Sequence, residues 1–310
     1  MQTNKVLGDP LVSVVMCTYN GGLFIQEQLD SILHQTYPSI EIIIVDDRST
    51  DDTYKILEQY AALSKNVHLF RNESNVGYIR NFSNACSYAK GDYIAISDQD
   101  DVWHPDKIKR MLEQWKPGVP LMYCNSVRFE NDVPWDASAN PIYRRFEGKN
   151  SRKIAIFNTI SGHAMMVKKN FLSIILPFPE NLSYDWWSGV VAACNGGVGY
   201  VPDILVFQRV HGKNITVGGM YDHNGKKNRV KFKRMVLNHL EKFSDIPVMP
   251  EKDTLFFRKL LRLWKEAVTK KFSWPLFFFL INNRHIIFNY KKRKVGILSH
   301  IKHSYRLAKN

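Results

Sequence analysis

Asp98, Asp100 and Asp101 fall within four positions, directly after the apolar run Ile94-Ala95-Ile96. Carboxylates this close raise one another's pKa, so they need a counter-charge to stay ionised together. A hard divalent cation is the usual one. Mg²⁺ or Mn²⁺ takes one or two carboxylates and fills its shell with water and substrate phosphates. An isolated Asp-X-Asp can equally be a solvated acidic turn, so the surrounding elements decide.

Two further polar clusters follow apolar runs upstream. Leu11 to Cys17 leads into Thr18-Tyr19-Asn20-Gly21-Gly22, and Ile40 to Val45 leads into Asp46-Asp47-Arg48-Ser49-Thr50-Asp51. Near-continuous Val and Ile runs suit parallel strands covered on both faces. Between them, apolar residues at 24, 25, 29, 32 and 33 have helical spacing. Asp51 or Asp52 can cap a second helix running through Leu57 and Tyr60. A short strand over Val67 to Phe70 and a helix over Ile79 to Ala89 precede the strand that opens onto Asp98. This alternation predicts an open α/β sheet with right-handed crossovers. Ligands of such sheets bind beyond the carboxyl ends of the strands, where all three polar clusters fall.

The strings Val12-Ser-Val-Val-Met-Cys-Thr-Tyr-Asn20, Ile44-Val-Asp-Asp-Arg-Ser-Thr-Asp51, Asn75-Val-Gly-Tyr-Ile-Arg-Asn81 and Ser97-Asp-Gln-Asp-Asp-Val-Trp103 together resemble family 2 glycosyltransferases of the GT-A fold. The Asp-Gln-Asp-Asp-Val-Trp variant is similar to the rhamnosyltransferase-like branch that builds bacterial surface polysaccharides. The likeness covers roughly residues 10 to 215. It implies inverting, metal-dependent transfer from a nucleotide-diphosphate sugar, with dTDP-rhamnose or a UDP-hexose as donor.

The resemblance also assigns roles. Asp47 would accept a hydrogen bond from a pyrimidine N3–H, and Thr18 and Asn20 would contact the nucleoside. For Asn20, turn chemistry in Asn-Gly-Gly is an equal alternative. Arg80 would lie near base and phosphates, or be a solvated helix charge. Asp98 would approach ribose or metal, and Asp100 would be the main cation ligand, with Asp101 behind it or capping a helix. The register within this string stays open by one position. Inversion requires a carboxylate to take the acceptor's proton. The family sets that Asp near a helix start, which matches Asp185 in Asn181-Leu-Ser-Tyr-Asp-Trp-Trp187. Here Tyr184 precedes it, where the family often has an acidic residue. Trp186 and Trp187 could both be core, or one of them would floor the acceptor sugar. In Phe207-Gln-Arg-Val-His-Gly-Lys-Asn214, His211 would complete the metal shell or touch the diphosphate, assisted by Arg209 and Lys213.

Charge divides the chain. Residues 226–310 hold 22 Lys+Arg against 5 Asp+Glu, whereas residues 1–225 hold 21 against 24. This predicts a catalytic domain over 1–225, with a nucleotide-sugar half (about 10–125) and an acceptor half (about 126–225), followed by a basic helical extension over 226–310. In the extension, apolar residues from 256 to 268 recur at helical spacing opposite Arg258, Lys259, Arg262 and Lys265. Trp274 to Ile281 is an apolar run too short to span a bilayer, and Lys291, Lys292, Arg293 and Lys294 follow it. Together they predict an anionic-membrane anchor at the inner face of the plasma membrane; the alternative is packing of the apolar face on the catalytic domain. Nucleic acid is not an expected partner, because no recognised binding motif accompanies the charge.

The first ten residues lack the basic and apolar regions of a signal peptide. Cys17, Cys86, Cys124 and Cys194 are scattered, as free thiols of a cytoplasmic protein would be. Residues 131–151 read as a surface loop over the acceptor site. The Gln-X-X-Arg-Trp motif and spanning helices of processive synthases are lacking, so addition of one sugar to a lipid-linked oligosaccharide is expected. Two rival readings are a metal-dependent nucleotidyltransferase, which would normally show a Gly-rich phosphate loop, and a catalytically idle nucleotide-sugar-binding subunit.

Overall fold

The protein is represented by a computed structural model that describes residues 8–138, 144–212, 226–291 and 296–309. The first half alternates as the apolar runs require: β1 (Val12–Thr18), α1 (Ile25–Leu33), β2 (Ile40–Asp46), α2 (Thr53–Leu63), β3 (Val67–Arg71), α3 (Tyr78–Tyr88) and β4 (Tyr93–Ser97). Then come β5 (Val102–Trp103), α4 (Lys107–Glu113), β6 (Leu121–Phe129), β7 (Met165–Lys168), α5 (Lys169–Ile175), α6 (Tyr184–Cys194) and β8 (Val198–Arg209).

Among the described residues these strands form one eight-stranded sheet in the order β3-β2-β1-β4-β7-β6-β8-β5. β1 pairs in parallel with β2 and β4, and β2 with β3. The chain runs outward from β1 to β3 and then returns to β4 on the other side of β1, which is the switch point where open sheets bind ligands. β1 and β2 end level, with Thr18 across from Asp46, and β4 ends two residues short of them, with Ser97 across from Met16. Val12, Val14, Met16, Ile42 and Ile44 are buried, as strands covered on both faces must be. The carboxylate of Asp51, rather than that of Asp52, accepts the Thr53 N–H at the start of α2.

The chain separates into two compact units. One comprises Met1–Ala139, Ser161–Phe178 and Val201–Arg209; the other comprises Asn140–Ile160, Pro179–Tyr200 and Val210–Asn310. The expected boundary at residue 225 therefore differs from the observed clustering, since much of the expected acceptor half groups with the C-terminal helices. So does the expected 131–151 loop, which is split between the units. The cause is aromatic packing within the second unit. Trp186 of α6 stacks on His239 with ring centroids 4.3 Å apart, and Phe243 meets Phe257 at 5.7 Å. These residues come from α7 (Lys226–Phe243) and α8 (Glu251–Thr269).

α8 buries Phe256, Phe257, Leu260, Leu263, Trp264 and Ala267, a stripe at helical spacing. The Trp264 indole donates to the Lys233 carbonyl of α7 at 3.0 Å. This stripe was expected at a membrane; it is instead core of the second unit. After α8 come α9 (Trp274–Asn282), α10 (Arg284–Ile287) and α11 (Ile297–Ala308). No helix among the described residues is long and apolar enough to cross a membrane. The four cysteines are free, as their scatter predicted.

Candidate functional site

The three polar clusters meet on one rim of the first unit. The Thr18 hydroxyl donates to Asp46 Oδ1 at 3.0 Å, across the level ends of β1 and β2. Asp46 also accepts from the Ser49 N–H and from Arg71 Nε at 3.3 Å, so it clamps its own loop. Asn20, at φ 50°, accepts the Thr50 N–H at 2.8 Å through its side-chain carbonyl. The Gln99 amide closes a pair of bonds with the Tyr19 backbone, accepting at 2.9 Å and donating at 3.1 Å. Gly21 sits beneath that amide, where a Cβ would collide with it. The acidic string is thus tied to the first strand's exit loop by the one residue in it without a charge.

Asp47 is buried and holds the following loop. Its Oδ1 accepts from Asn72 and from the Val76 N–H, both at 2.8 Å, and its Oδ2 accepts from the Gly77 N–H at 2.9 Å. These bonds fix the carboxylate in place while leaving lone-pair capacity on Oδ2. Arg80 is exposed on α3. Thr18 is buried with its hydroxyl committed to Asp46. Its expected nucleoside contact is therefore corrected to a supporting role, and the Asn20 side chain takes the turn alternative.

A metal-competent group lies at the end of β4. Ligand atoms of Asp98, Asp101 and His163 lie within 4.8 Å of one another. Opposite ligands around Mg²⁺ sit about 4.2 Å apart, so small side-chain rotations suffice. β7 brings His163 there. It pairs antiparallel with β4, Ala95 across from Met166, and the short 3-10 turn Gly162–Ala164 just before β7 carries His163 to the end of β4. The expected set was Asp98, Asp100 and His211. Asp101 and His163 replace the latter two in the observed group, and His211 belongs to the second unit.

Asp101 is the inward carboxyl because β8 holds it. The Arg209 N–H donates to Asp101 Oδ1 at 3.1 Å, while Oδ2 is buried without a hydrogen-bond partner among the described residues. Burial and the neighbouring Asp98 and Asp100 push its pKa well above the usual carboxylate range. A cation beside Oδ2 would reverse that shift and supply the missing partner, so the residues fit one. Beneath the group lies Lys107, also buried. Its ammonium sits 3.1 Å from the Trp103 ring centroid and donates to the His163 carbonyl at 3.3 Å. Burial pulls its pKa down to about 7.

Arg209 does not present its guanidinium to a ligand as expected. It is 7% exposed, ion-paired with Glu27, and bonded through Nε to the Asp100 carbonyl at 3.2 Å. The rings of Phe24 and Phe129 flank it at 5.0 and 4.5 Å. It braces the acidic loop instead.

In the second unit, Asp185 occupies the first turn of α6, as expected of the base, and accepts the Trp186 N–H at 2.7 Å. Trp186 is fully buried, with its indole donating to the Ile154 carbonyl at 2.6 Å. It is a core residue, which leaves half-buried Trp187 as the aromatic acceptor candidate. Lys291 is half-buried, its ammonium 5.7 Å from the Phe288 ring centroid, and burial lowers its pKa to about 8. Its side chain thus lies against its own unit. Lys213, Lys292, Arg293 and Lys294 lie outside the described residues.

Known proteins resemble this chain in sequence and in fold. An uncharacterized glycosyltransferase of Haemophilus influenzae is 28% identical over 241 residues, covering 73% of this chain and 72% of that protein. A putative teichuronic acid biosynthesis glycosyltransferase of Bacillus subtilis is 41% identical over 104 residues, 34% of this chain and 41% of its own length. Among solved structures, S. aureus TarS 1-349 in complex with UDP-GlcNAc superposes with a TM-score of 0.61 at 18% identity, covering 96% of this chain and 89% of that one. Mannosyltransferase PcManGT from Pyrobaculum calidifontis, in complex with GDP-Man and Mn²⁺, gives 0.58 at 19%, covering 96% and 80%. At such identities the superpositions establish the fold, which is GT-A. The family model for glycosyl transferase family 2 matches residues 13–174, which reach from β1 through the acidic string into α5. That is more than half of the sequence, and the chain belongs to glycosyl transferase family 2.

Proposed function

We propose that this protein transfers a single sugar, with inversion, from a nucleotide-diphosphate sugar to a saccharide acceptor. The observation that carries the reading is the rim at the β1/β4 switch point of a family 2 chain, where Asp47 and the Asp98, Asp101 and His163 group follow the carboxyl ends of neighbouring parallel strands. Asp47 would accept from the pyrimidine N3–H of a dTDP or UDP donor, through the capacity left on Oδ2. Arg80 would reach base or phosphate from the start of α3. Asp98, Asp101 and His163 would hold Mn²⁺ or Mg²⁺. Such an ion, when bound, offsets the charge of a leaving diphosphate. His211 would touch that diphosphate rather than complete the metal's shell. The relatives support a nucleotide-sugar donor, since TarS binds UDP-GlcNAc and PcManGT binds GDP-Man with Mn²⁺.

Asp185 would take the acceptor hydroxyl's proton as that oxygen bonds to the anomeric carbon. The carbon–oxygen bond to the diphosphate breaks on the opposite face, and the nucleoside diphosphate leaves with the bonding pair. Its place at the N-terminus of α6 favours an ionised carboxylate, the form a base needs. Trp187 would hold the acceptor ring. The teichuronic acid relative supports a polysaccharide product; the acceptor would be a lipid-linked oligosaccharide of a bacterial surface polysaccharide, and the protein would act peripherally on the inner face of the plasma membrane.

A thermal-shift series with UDP-, dTDP- and GDP-sugars, each with and without Mn²⁺, tests the reading. Stabilisation grows as ln(1 + [L]/Kd), so a true donor raises Tm with concentration and with the metal. The expected result is a metal-enhanced shift for a pyrimidine donor and slow donor hydrolysis without acceptor. No shift with any nucleotide sugar in either condition would overturn it.

A further inference from the structure

The second unit exposes a continuous apolar face on α9 and α11. On α9, Leu276 and Leu280 are fully buried, whereas Trp274 and Phe278, also four apart, are 62% and 55% exposed. Their rings stack at 5.9 Å. On α11, Ser304, Leu307 and Ala308 face inward. Its outward stripe is Ile297, Leu298, Ile301 and Tyr305, with Leu298 78% exposed. A soluble helix would place polar groups on that stripe.

The two helices are joined rather than separate. The Ser273 N–H donates to the Ala308 carbonyl at 3.0 Å, and Phe272 forms an isolated bridge with Lys309. The Phe272 ring lies 4.8 Å from Trp274 and 5.1 Å from Tyr305. Single exposed apolar side chains need no explanation, but a connected run over two helices does. Its surroundings select the occupant. Residues 270–309 contain ten Lys+Arg and no Asp or Glu. Lys270, Lys271, Lys302 and Lys309 are exposed near the apolar stripe. Glu266 pairs with Lys270 at 3.8 Å, while the other rim lysines lie in a stretch without carboxylates; an aromatic and aliphatic face rimmed in this way is matched to the interface of an anionic bilayer.

We infer that the α9–α11 face inserts into the headgroup region of an anionic membrane, with Trp274, Phe278, Leu298 and Ile301 as the wedge. This rests on the peripheral-membrane reading above; it keeps α9 in the apolar component, removes α8 and adds α11. Lipid-linked acceptors are thereby met at the surface where they reside.

Sedimentation of the full chain with phosphatidylcholine vesicles, with and without phosphatidylglycerol, at low and high salt, tests it. Comparators are the Trp274→Ser, Leu298→Ser double variant and the Lys270→Gln, Lys271→Gln variant. All four positions are exposed, so melting curves should match the parent's. The parent is expected to bind phosphatidylglycerol vesicles, less at high salt but still measurably. The double Ser variant should lose the salt-resistant part, with partitioning down by about tenfold or more, while the Gln variant loses only the low-salt gain. A parent that ignores every vesicle would overturn the peripheral reading itself. A double Ser variant that binds like the parent would leave that reading standing and remove this face from it. Self-association without lipid, abolished by the Ser substitutions in analytical ultracentrifugation, would make a second copy the occupant and overturn the inference.

Discussion

His239 Nε2 accepts a hydrogen bond from the Ser183 N–H at 3.0 Å, two residues before Asp185. The other ring nitrogen faces the Met235 carbonyl at 2.8 Å and must carry the proton to bond it. The Ser183 bond requires the neutral imidazole, because a protonated Nε2 could not accept it. Burial lowers the pKa to about 4, against a weaker opposing pull from the Met235 carbonyl. The helix that carries the proposed base is therefore anchored by a histidine that must remain uncharged.

Stability should fall on acidification through this histidine. Its folded pKa of about 4 lies below the unfolded value of about 6.5, so between those limits the unfolded chain binds more protons. The contribution is fully present above about pH 6.5, declines as pH falls towards 4, and amounts to on the order of 3 kcal/mol. Urea melts at stepped pH should show that slope, and His239→Gln, which keeps an acceptor, should flatten it. An unaltered slope in the variant would assign the pH dependence elsewhere.

The metal group yields a comparison between adjacent residues. Asp101→Ala or His163→Ala should weaken Mn²⁺-dependent nucleotide-sugar binding at least about 10–100-fold, as loss of metal-site partners does. Asp100→Ala should cost less, because the observed group does not include it. Calorimetry of UDP with and without Mn²⁺ checks this. If Asp100→Ala alone destroys metal-dependent binding, the cation sits one position along the string.

The sequence showed the sheet and its rim because both depend on local pattern. The runs 12–17 and 40–45 are apolar except for Ser13 and Glu41, which hydrogen-bond to each other, and their polar exits fall on one edge of any parallel sheet. His163 was hidden, since only the antiparallel pairing of β7 with β4 and the turn before β7 bring it to Asp98, and nothing in Ser161-Gly-His-Ala announces them. Arg209 was misread for a related reason. Its neighbours look like a phosphate-binding string, but Glu27, 182 positions away, neutralises it. Apolar periodicity located α8, yet periodicity does not say whether the stripe meets a bilayer or another helix. Phe243 and Lys233 on α7 supplied that answer.

The paired tryptophans should separate cleanly. Trp186→Ala empties a fully buried site and breaks the bond to Ile154, so it should cost about 3–5 kcal/mol in chemical melts. Trp187→Phe keeps a ring and should leave stability nearly unchanged. Trp187→Ala should raise the acceptor KM with little effect on donor affinity. A Trp187→Ala enzyme with a normal acceptor KM would leave the acceptor ring without this platform.

Arg209→Met distinguishes bracing from diphosphate binding. The substitution keeps the backbone N–H that holds Asp101 but removes the bond to the Asp100 carbonyl and the contacts with Phe24 and Phe129. Glu27 is half-exposed and can be resolvated, so the loss should be about 1–3 kcal/mol, below that of a fully buried pair. Direct contact with the leaving group would instead lower kcat and donor affinity at unchanged stability. Melts and donor titrations on one preparation separate the two.

Asp185→Asn tests the chemistry itself. The amide keeps the carboxylate's shape and an acceptor for the Trp186 N–H, so α6 should form normally. It cannot take a proton at neutral pH, and kcat should drop by about 10²–10⁴ while donor affinity barely moves. Product NMR on the parent should show the opposite anomeric configuration to the donor, as one in-line displacement requires. A variant with near-normal kcat would move the base to another residue, and retained configuration would rule out a single displacement.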